Sequence, residues 1–417
     1  MQLKTILNRV HKLKGFVYDK IRLYEIEGEL FLEAEVRPHK GNRPVCSGCG
    51  KKRPGYDTGE HRHFPFIPLW GIQVFLVYAM RRVNCPLCHV KVEQVPWADG
   101  KNKLTKAYQW FLAGWAKRLS WQEVADAFQS SWYHVFGSVE MAVEWGRERM
   151  NLEGITAAGV DEMQCGRGHQ YVTVVYQINA GCKRLLWIGE KRRAKTLLKF
   201  FRWFGEERSA KLEFICSDMW KAYLKVIAKK APQAIHILDR FHLVAHLNKA
   251  VDEVRAGEAR ELKAKGYDPV LKGSRWWFLK RTWNLTEKQG EKLADVLRYN
   301  LRTVRAYLLK EEFQFFWEYK SAGWAGKFLD QWCTKTMRSK IEPMKKVAKM
   351  LRRHRELILN WFRAKKEFSS GIVEGLNNKA KVTTRKAYGF RTFRSLEVAL
   401  YHTLGKLPEP TFTHKFF

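Results

Sequence analysis

Three carboxylates, far apart in the chain, stand in three different local settings, and together they limit the folds open to it. Asp161 lies in ITAAGVDEM, at the mouth of an apolar run that leads into the alternating segment HQYVTVVYQI. Asp218 closes a second apolar run, KLEFICSDMW. Glu374 stands in SSGIVEGLNNKAKVTTRKAYGF, a polar and basic stretch with helical spacing. Two strand-end Asp residues and one helix Glu suit a fold that brings three oxygen donors to one point. Hard oxygen ligands of that kind hold Mg²⁺ or Mn²⁺. Taken singly, either Asp also reads as a turn or capping residue and Glu374 as a solvated helix residue. The set of three supports the metal reading.

The pattern around the two Asp residues is α/β. GVDEM, YVTVVYQI and RLLWIGE read as strands, AKTLLKFFRWFGE as a helix, LEFICSD as a strand and MWKAYLKVIAKKA as a helix. AIHILDRFH is a further strand ending in Asp239 and His242. Three paired strands followed by helix–strand–helix–strand predict a mixed sheet with helical cover. From Leu243 to about Lys366 the pattern is wholly helical and strongly basic, with a capping box over Thr286–Gln289. This block falls between Asp218 and Glu374, so it reads as an all-α insertion.

The N-terminal third is different. Over residues 16–37, LFLEAEVRP sets Leu32, Ala34 and Val36 against Glu33 and Glu35, the period of a strand, with Gly28 as a hairpin turn before it. Two knuckles follow, Cys46-Ser-Gly-Cys49 and Cys85-Pro-Leu-Cys88, with HFPFIPLWGIQVFLVYAMRRV between them reading as short strands. Paired CxxC units supply four thiolates for a tetrahedral Zn²⁺. The gap of 35 residues between Cys49 and Cys85 makes this an expanded zinc ribbon. His61, His63 and His89 are the available substitutes for one thiolate. The other four cysteines, Cys165, Cys182, Cys216 and Cys333, have no ligand spacing.

VPWADGKNK, residues 95–103, reads as a linker. Beyond it Ser120-Trp-Gln-Glu123 fits a capping box, and Ser131 can cap a second helix, WYHVFGSVEMAV. A short helix, a polar turn and a second helix form the helix-turn-helix pattern, which an ordinary helical hairpin shares. MNLEGITAAG, residues 150–159, is the next break.

Charge indicates the partner. Lys plus Arg is 76 against 42 for Asp plus Glu, a net charge of +34 with a pI near 9.9. Such a balance points to a polyanion, most often nucleic acid. No run of ~20 uncharged apolar residues is present, which argues against a membrane span. MQLKTILNRVHKLK has no apolar core of a secretory signal. The chain is therefore expected in the cytoplasm, in association with the nucleoid, with reduced thiols.

Attack on a phosphodiester needs a deprotonated nucleophile and neutralised charge on the phosphate and leaving oxygens, which two divalent ions about 4 Å apart provide. Asp161 would bridge the ions, with Asp218 and Glu374 holding one each. On a helix, Glu374, Asn378, Lys381 and Arg385 share a face, setting a carboxylate beside phosphate-binding groups. Lys386 and Arg391 extend that DNA-binding set. Glu162 alternates to the far side of the strand from Asp161 and is a weaker ligand candidate. Asp239 and His242 read as a supporting pair behind the ligands, or else pack or pair with Arg240.

These residues resemble a known family. GVDE with GHQYVTVVY, SDMWKAY, LDRFHLVAHLNKAVDEVR and GIVEGLNNKAKVTTRKAYGFRTF are similar to the ISL-group insertion-sequence transposases, and so are the CSGCG and RRVNCPLC knuckles. The resemblance spans nearly the whole chain. It implies a DDE-type enzyme with a multi-domain α/β fold: an RNase H-like mixed sheet with an all-α insertion, preceded by a zinc ribbon and a helix-turn-helix domain. The implied triad is Asp161, Asp218 and Glu374, with two Mg²⁺ or Mn²⁺ per site and a structural Zn²⁺ on Cys46, Cys49, Cys85 and Cys88. The expected boundaries are a β/zinc-ribbon domain over 1–100, a helix-turn-helix domain over 104–150, catalytic parts over 155–242 and 367–405, the insertion over 243–366 and a tail over 406–417. The implied activity is binding of terminal inverted repeats, cleavage of element ends and joining of a 3′-OH to target DNA, by a homodimer or larger assembly on double-stranded DNA. The alternatives are a structure-selective RNase H-like nuclease and a non-catalytic DNA-binding regulator derived from a transposase.

Overall fold

The computed structural model describes residues 3–100, 102–166, 170–267, 269–365 and 371–411. The expected boundary at 366/367 and half of the expected tail, 412–417, lie outside them. The chain divides into two compact units, Met1–Asn151 with Val382–Phe417, and Leu152–Lys381.

The first unit starts with α1 (Leu3–Val10), β1 (Phe16–Ile26) and β2 (Glu29–Pro38). β1 and β2 pair antiparallel through a two-residue turn, Glu27–Gly28, with φ of 53° and 82°. Two positive φ values give the turn whose twist matches its strands, and this is why a glycine stands there. Leu32, Ala34 and Val36 are buried on one face of β2, while Glu33 and Glu35 lie on the other, half-buried.

β3 (Gly55–Leu69) and β4 (Ile72–Cys85) form one long hairpin where short strands were expected. Pro65 and Pro68 fit within β3 because it is an edge of the sheet, whose order is β1-β2-β4-β3, and an edge strand needs donors on one side only. β5 (His89–Val92) pairs with the end of β4.

The described part of the 95–103 segment is irregular but is no free linker: Val95, Trp97 and Ala98 belong to the core. Trp97 meets Phe16 and Tyr78 edge-on at centroid distances of 5.0 and 5.2 Å. An indole offers too much apolar surface to leave in water once a sheet face is in reach.

α2 (Lys106–Ala116), α3 (Trp121–Ala127) and α4 (Trp132–Glu148) follow. Ser120 and Glu123 close the expected capping box on α3, and Ser131 caps α4. A short helix, a tight turn and a second helix are thus present.

The second unit opens with β6 (Ala157–Gln164), β7 (Tyr171–Gln177) and β8 (Arg184–Glu190), all antiparallel neighbours. Next come α5 (Ala194–Phe204), α6 (Glu206–Ala210), β9 (Phe214–Ser217), α7 (Lys221–Lys230) and β10 (Ile235–Leu238). β9 pairs parallel with β6, and β10 parallel with β9, so the sheet is mixed and runs β10-β9-β6-β7-β8. Every residue of β7 after Tyr171 is buried, as a sheet covered on both faces requires.

A helical block continues through α8 (Arg240–Ala264), α9 (Arg275–Leu279), α10 (Glu287–Leu297), α11 (Arg302–Gln314), α12 (Ala322–Arg338), α13 (Glu342–Arg353) and α14 (Arg355–Arg363). Buried Glu258 ties α8 to the start of α11, accepting from the Arg302 and Thr303 backbone at 2.8 and 2.7 Å. An acid at a helix N-terminus satisfies orphan amides and meets the positive end of the dipole. α15 (Gly371–Lys386) then returns to the sheet. The last helix, α16 (Phe393–Leu404), packs on α4 in the first unit, where Arg394 bonds Glu140 at 2.8 Å. Among the described residues, no helix is long and apolar enough to cross a membrane.

Candidate active site and metal centre

β6 presents Asp161 inside the strand, paired with Val174, and not at a strand end as expected. The apolar run stops at Val160, but the backbone ladder continues to Gln164 because β7 offers a partner to its end. Asp218 is the first residue beyond β9, the parallel neighbour of β6, and is only 8% exposed. Asp239 follows β10 in the same way and caps α8, accepting from the Phe241 N–H at 2.7 Å. Parallel strands end on one side of a sheet, so these carboxylates gather along one edge.

α15 is clamped to this edge by two contacts. Val373 lies so close to β6 that a Cβ on Gly159 would sit 2.4 Å from its Cγ2, which accounts for the glycine. Asn377, only 6% exposed, donates from Nδ2 to Asp161 Oδ2 at 2.6 Å and accepts the Tyr176 hydroxyl at 2.7 Å. Glu374 lies one turn before Asn377 and is exposed. Among the described residues, the oxygens of Asp161, Asp218 and Glu374 do not all come within 4.8 Å of one another.

The electrostatics of the edge are those of crowded acids. Burial pushes the Asp161 carboxyl up to about 6, and Asp218 and Asp239 add to this against the Glu162 N–H and His242. Glu162 is pushed up to about 7 by burial, against the pull of Arg192. Alternation set Glu162 on the far side of the strand from Asp161, yet Arg192 forms ion pairs with both Glu162 and Asp218, the latter at 3.3 Å, so Glu162 reaches the same group of acids. The Arg192 guanidinium lies on the Trp220 ring, 4.6 Å from its centroid. His242 Nδ1 lies 2.9 Å from Asp239 Oδ2, and this bond raises the imidazole to about 9, so His242 is a cation beside the acids at neutral pH.

Sequence reasoning missed Arg192 and the inward role of Asn377. Arg192 is one of three consecutive cations, Lys191-Arg192-Arg193, and nothing in the run says which one turns in. Asn377 was legible from phase, since it shares a helical face with Val373, Leu376 and Ala380, all buried. The expected outer face is as read: Glu374, Asn378, Lys381 and Arg385 are exposed, and so is Arg391 beyond the helix. Lys386 is also exposed, but its ammonium donates to the Arg118 carbonyl.

A second centre lies in the first unit. Cys46, Cys49, Cys85 and Cys88 bring their sulfurs within 4.8 Å of one another, and none of the histidines considered as substitutes belongs to the group. Zn–S bonds of ~2.3 Å set a tetrahedral S···S edge of about 3.8 Å. The Cys49 and Cys85 sulfurs are 3.7 Å apart. The Lys51 N–H holds the Cys49 thiol below its usual range. Burial opposes ionisation of Cys85, yet the Leu87 and Cys88 N–H groups bring it down to about 6, while burial and the surrounding sulfurs push Cys88 up to about 12. Four thiols cannot all ionise without a cation among them. The donor set fits zinc.

A family model for ISL3-type DDE transposases, described as Transposase, matches residues 158–400. That range holds the sheet, the helical block and α15. The chain belongs to this transposase family. It is 31% identical over 399 residues to the transposase for insertion sequence element IS1557 of Mycobacterium tuberculosis, covering 89% of this chain and 88% of that one. It is 27% identical over 350 residues to the transposase for insertion sequence element IS1001 of Bordetella parapertussis, covering 83% of this chain and 85% of that one. Both alignments extend beyond the residues that the family model matches.

Proposed function

We propose that this DDE transposase cuts and joins DNA at Asp161, Asp218 and Glu374, on an RNase H-like sheet. The observation that carries the reading is the juxtaposition of Asp161 and Asp218 on adjacent parallel strands, with the helix bearing Glu374 clamped to Asp161 through Asn377. Three antiparallel strands followed by two parallel ones, in the order β8-β7-β6-β9-β10, support the RNase H-like assignment.

Two divalent ions, Mg²⁺ or Mn²⁺, would activate water or a 3′-OH and neutralise the phosphate and leaving oxygens. The residues fit them: Asp161, pushed upward by burial and by the neighbouring Asp218 and Asp239, marks a surplus of negative charge that cations would relieve. Asp161 is the most fixed ligand, since Asn377 and the Glu162 N–H each hold one of its oxygens. Asp218 is held by the Trp220 N–H at 3.0 Å. Glu374 would close the set from the exposed side, after DNA arrives. Asp239 holds His242 protonated, ready to meet a phosphate oxygen, and both act in support of the ligands.

The zinc ribbon and the helix-turn-helix over α3 and α4 would read the terminal inverted repeats. Asn378, Lys381, Arg385, Lys386 and Arg391 would meet backbone phosphates, with affinity that falls as salt rises. Two ends must be held together, so a dimer or larger assembly on DNA is expected, in the cytoplasm and on the nucleoid. The six segments set out from the sequence remain the proposed domains.

The test is cleavage and strand joining on a duplex carrying an element end, with Mg²⁺. Asp161→Ala, Asp218→Ala and Glu374→Ala should each lower both activities by at least about a hundredfold. Full activity in any variant removes that residue from the triad. Cutting without joining in the wild type would favour the nuclease, and binding indifferent to divalent ions without cutting the regulator.

A further inference from the structure

A groove of about 660 Å³ runs between α5 and α7, and its near end is the catalytic edge. Trp220, at that end, donates its backbone N–H to Asp218 and carries Arg192 on its ring. Leu198 and Ala194 from α5, with Ala222 and Val226 from α7, give the groove an apolar lining. Lys221, Lys225 and Lys229 line it as well, all exposed, and none makes an ion pair among the described residues. They recur every fourth residue, so successive ammonium groups rise from α7 at steps of ~6 Å, close to the step between phosphates of an extended strand. Lys191, Arg193, Lys195 and Lys199 are exposed at the start of α5 and along it.

An apolar lining with a cationic rim fits an unpaired nucleic acid strand, whose bases seek apolar and aromatic surface while its phosphates seek cations. A duplex turns phosphates and groove edges outward and keeps its base faces stacked inside, so it has no use for an apolar floor. Packed helices lie ~8–10 Å apart, which leaves no room for a duplex between them. Resting on the assignment of Asp218 to the active site, we propose that the α5–α7 groove binds an unpaired stretch of the DNA strand that continues past the phosphate being cut. Lys221, Lys225 and Lys229 hold its phosphates, and Trp220 borders the first base. The site thereby distinguishes a melted flank from an intact one.

The experiment uses the full chain and two end-containing duplexes, one blunt just past the cleavage position and one carrying an unpaired tail there. Binding is read by fluorescence anisotropy over a salt series, for wild type and for Lys225→Glu combined with Lys229→Glu. The tail should tighten wild-type binding by about tenfold or more, as one stacked base would. In the double variant that gain should vanish while blunt-duplex affinity stays as in wild type, which also shows that the variant is folded. The slope of log affinity against log salt on the tailed DNA should fall by about 1.4, at ~0.7 per phosphate contact on single strands. No gain from the tail in wild type, or an equal loss on both DNAs in the variant, overturns the proposal, the second outcome placing duplex on these lysines. Cleavage by wild type in the same tubes is scored separately. Its presence without a tail effect sinks only the groove, and a tail effect without cleavage sinks only the catalytic reading.

Discussion

Asn377 shows how much one buried amide can organise. It spans a phenol and a carboxylate, Tyr176 and Asp161, and it lies one helical turn from Glu374. Replacing it with alanine leaves a buried hydroxyl and a charged oxygen without partners, which costs about 1–3 kcal/mol. Asn377→Ala should lose that much in a urea titration, and Tyr176→Phe, which removes one end of the bridge, should lose less. An unchanged midpoint in Asn377→Ala would mean that the amide does not hold α15 to the sheet. At this scale the sequence was informative about the thiols, whose paired spacing names them. It was less so about Arg192 and Asn377, whose roles depend on which way a side chain turns. Helical phase could have settled Asn377. For Arg192, a run of three cations carries no phase.

Among the elements, those with strong periodicity were readable: β2, β6 to β8, α5, α7 and the capped α3 and α4. β9 and β10, four residues each, were found because each is a largely apolar run that meets an Asp just beyond it, though β10 stops at Leu238 and the Asp239–His242 stretch read as its end opens α8 instead. β3 and β4 were read as short, since edge position, which makes proline tolerable, is a property of the sheet and not of the strand. The 95–103 segment read as a linker from its Pro, Gly and charge, while Trp97 decided its place. The cysteine knuckles make a related point about local cores. Their buried members are only Cys46, Val83 and Cys85, with Cys49 and Cys88 packed against them. So small a cluster needs a metal to persist. Purified protein should contain about one zinc per chain, and Cys49→Ser should lose it and open residues 46–92 to limited proteolysis. Zinc-free wild type with an unchanged cleavage pattern would reject the site.

For the molecule as a whole, charge and metal are linked through pH. Asp161 and Glu162 have folded-state values of about 6 and 7, above those of an unfolded chain. An acid raised on folding contributes fully below its unfolded value, ~4, and that contribution is lost as pH rises through 6 to 7. In metal-free protein these two acids therefore weigh against the fold near neutrality. Buried His236, lowered to about 4, has the opposite sign: it takes up a proton on unfolding, so its contribution is complete above ~6.5 and lost as pH falls towards 4. A divalent ion relieves the acids and does nothing for His236. The rise in melting temperature on adding Mg²⁺ should thus be larger at pH 7.5 than at pH 5, where Asp161 and Glu162 must first release protons. A rise that does not change with pH would place the ion elsewhere.

β3 has a further consequence at high concentration. Fifteen residues long and paired on one side only, it could recruit strands from neighbouring chains into fibrils. Its outer stretch instead carries Asp57, Glu60 and Arg62, and its inner stretch has Pro65 and Pro68, which lack the N–H that a newcomer would need. The strand is poorly suited to templating, so two copies meeting on DNA would have to meet through some other surface.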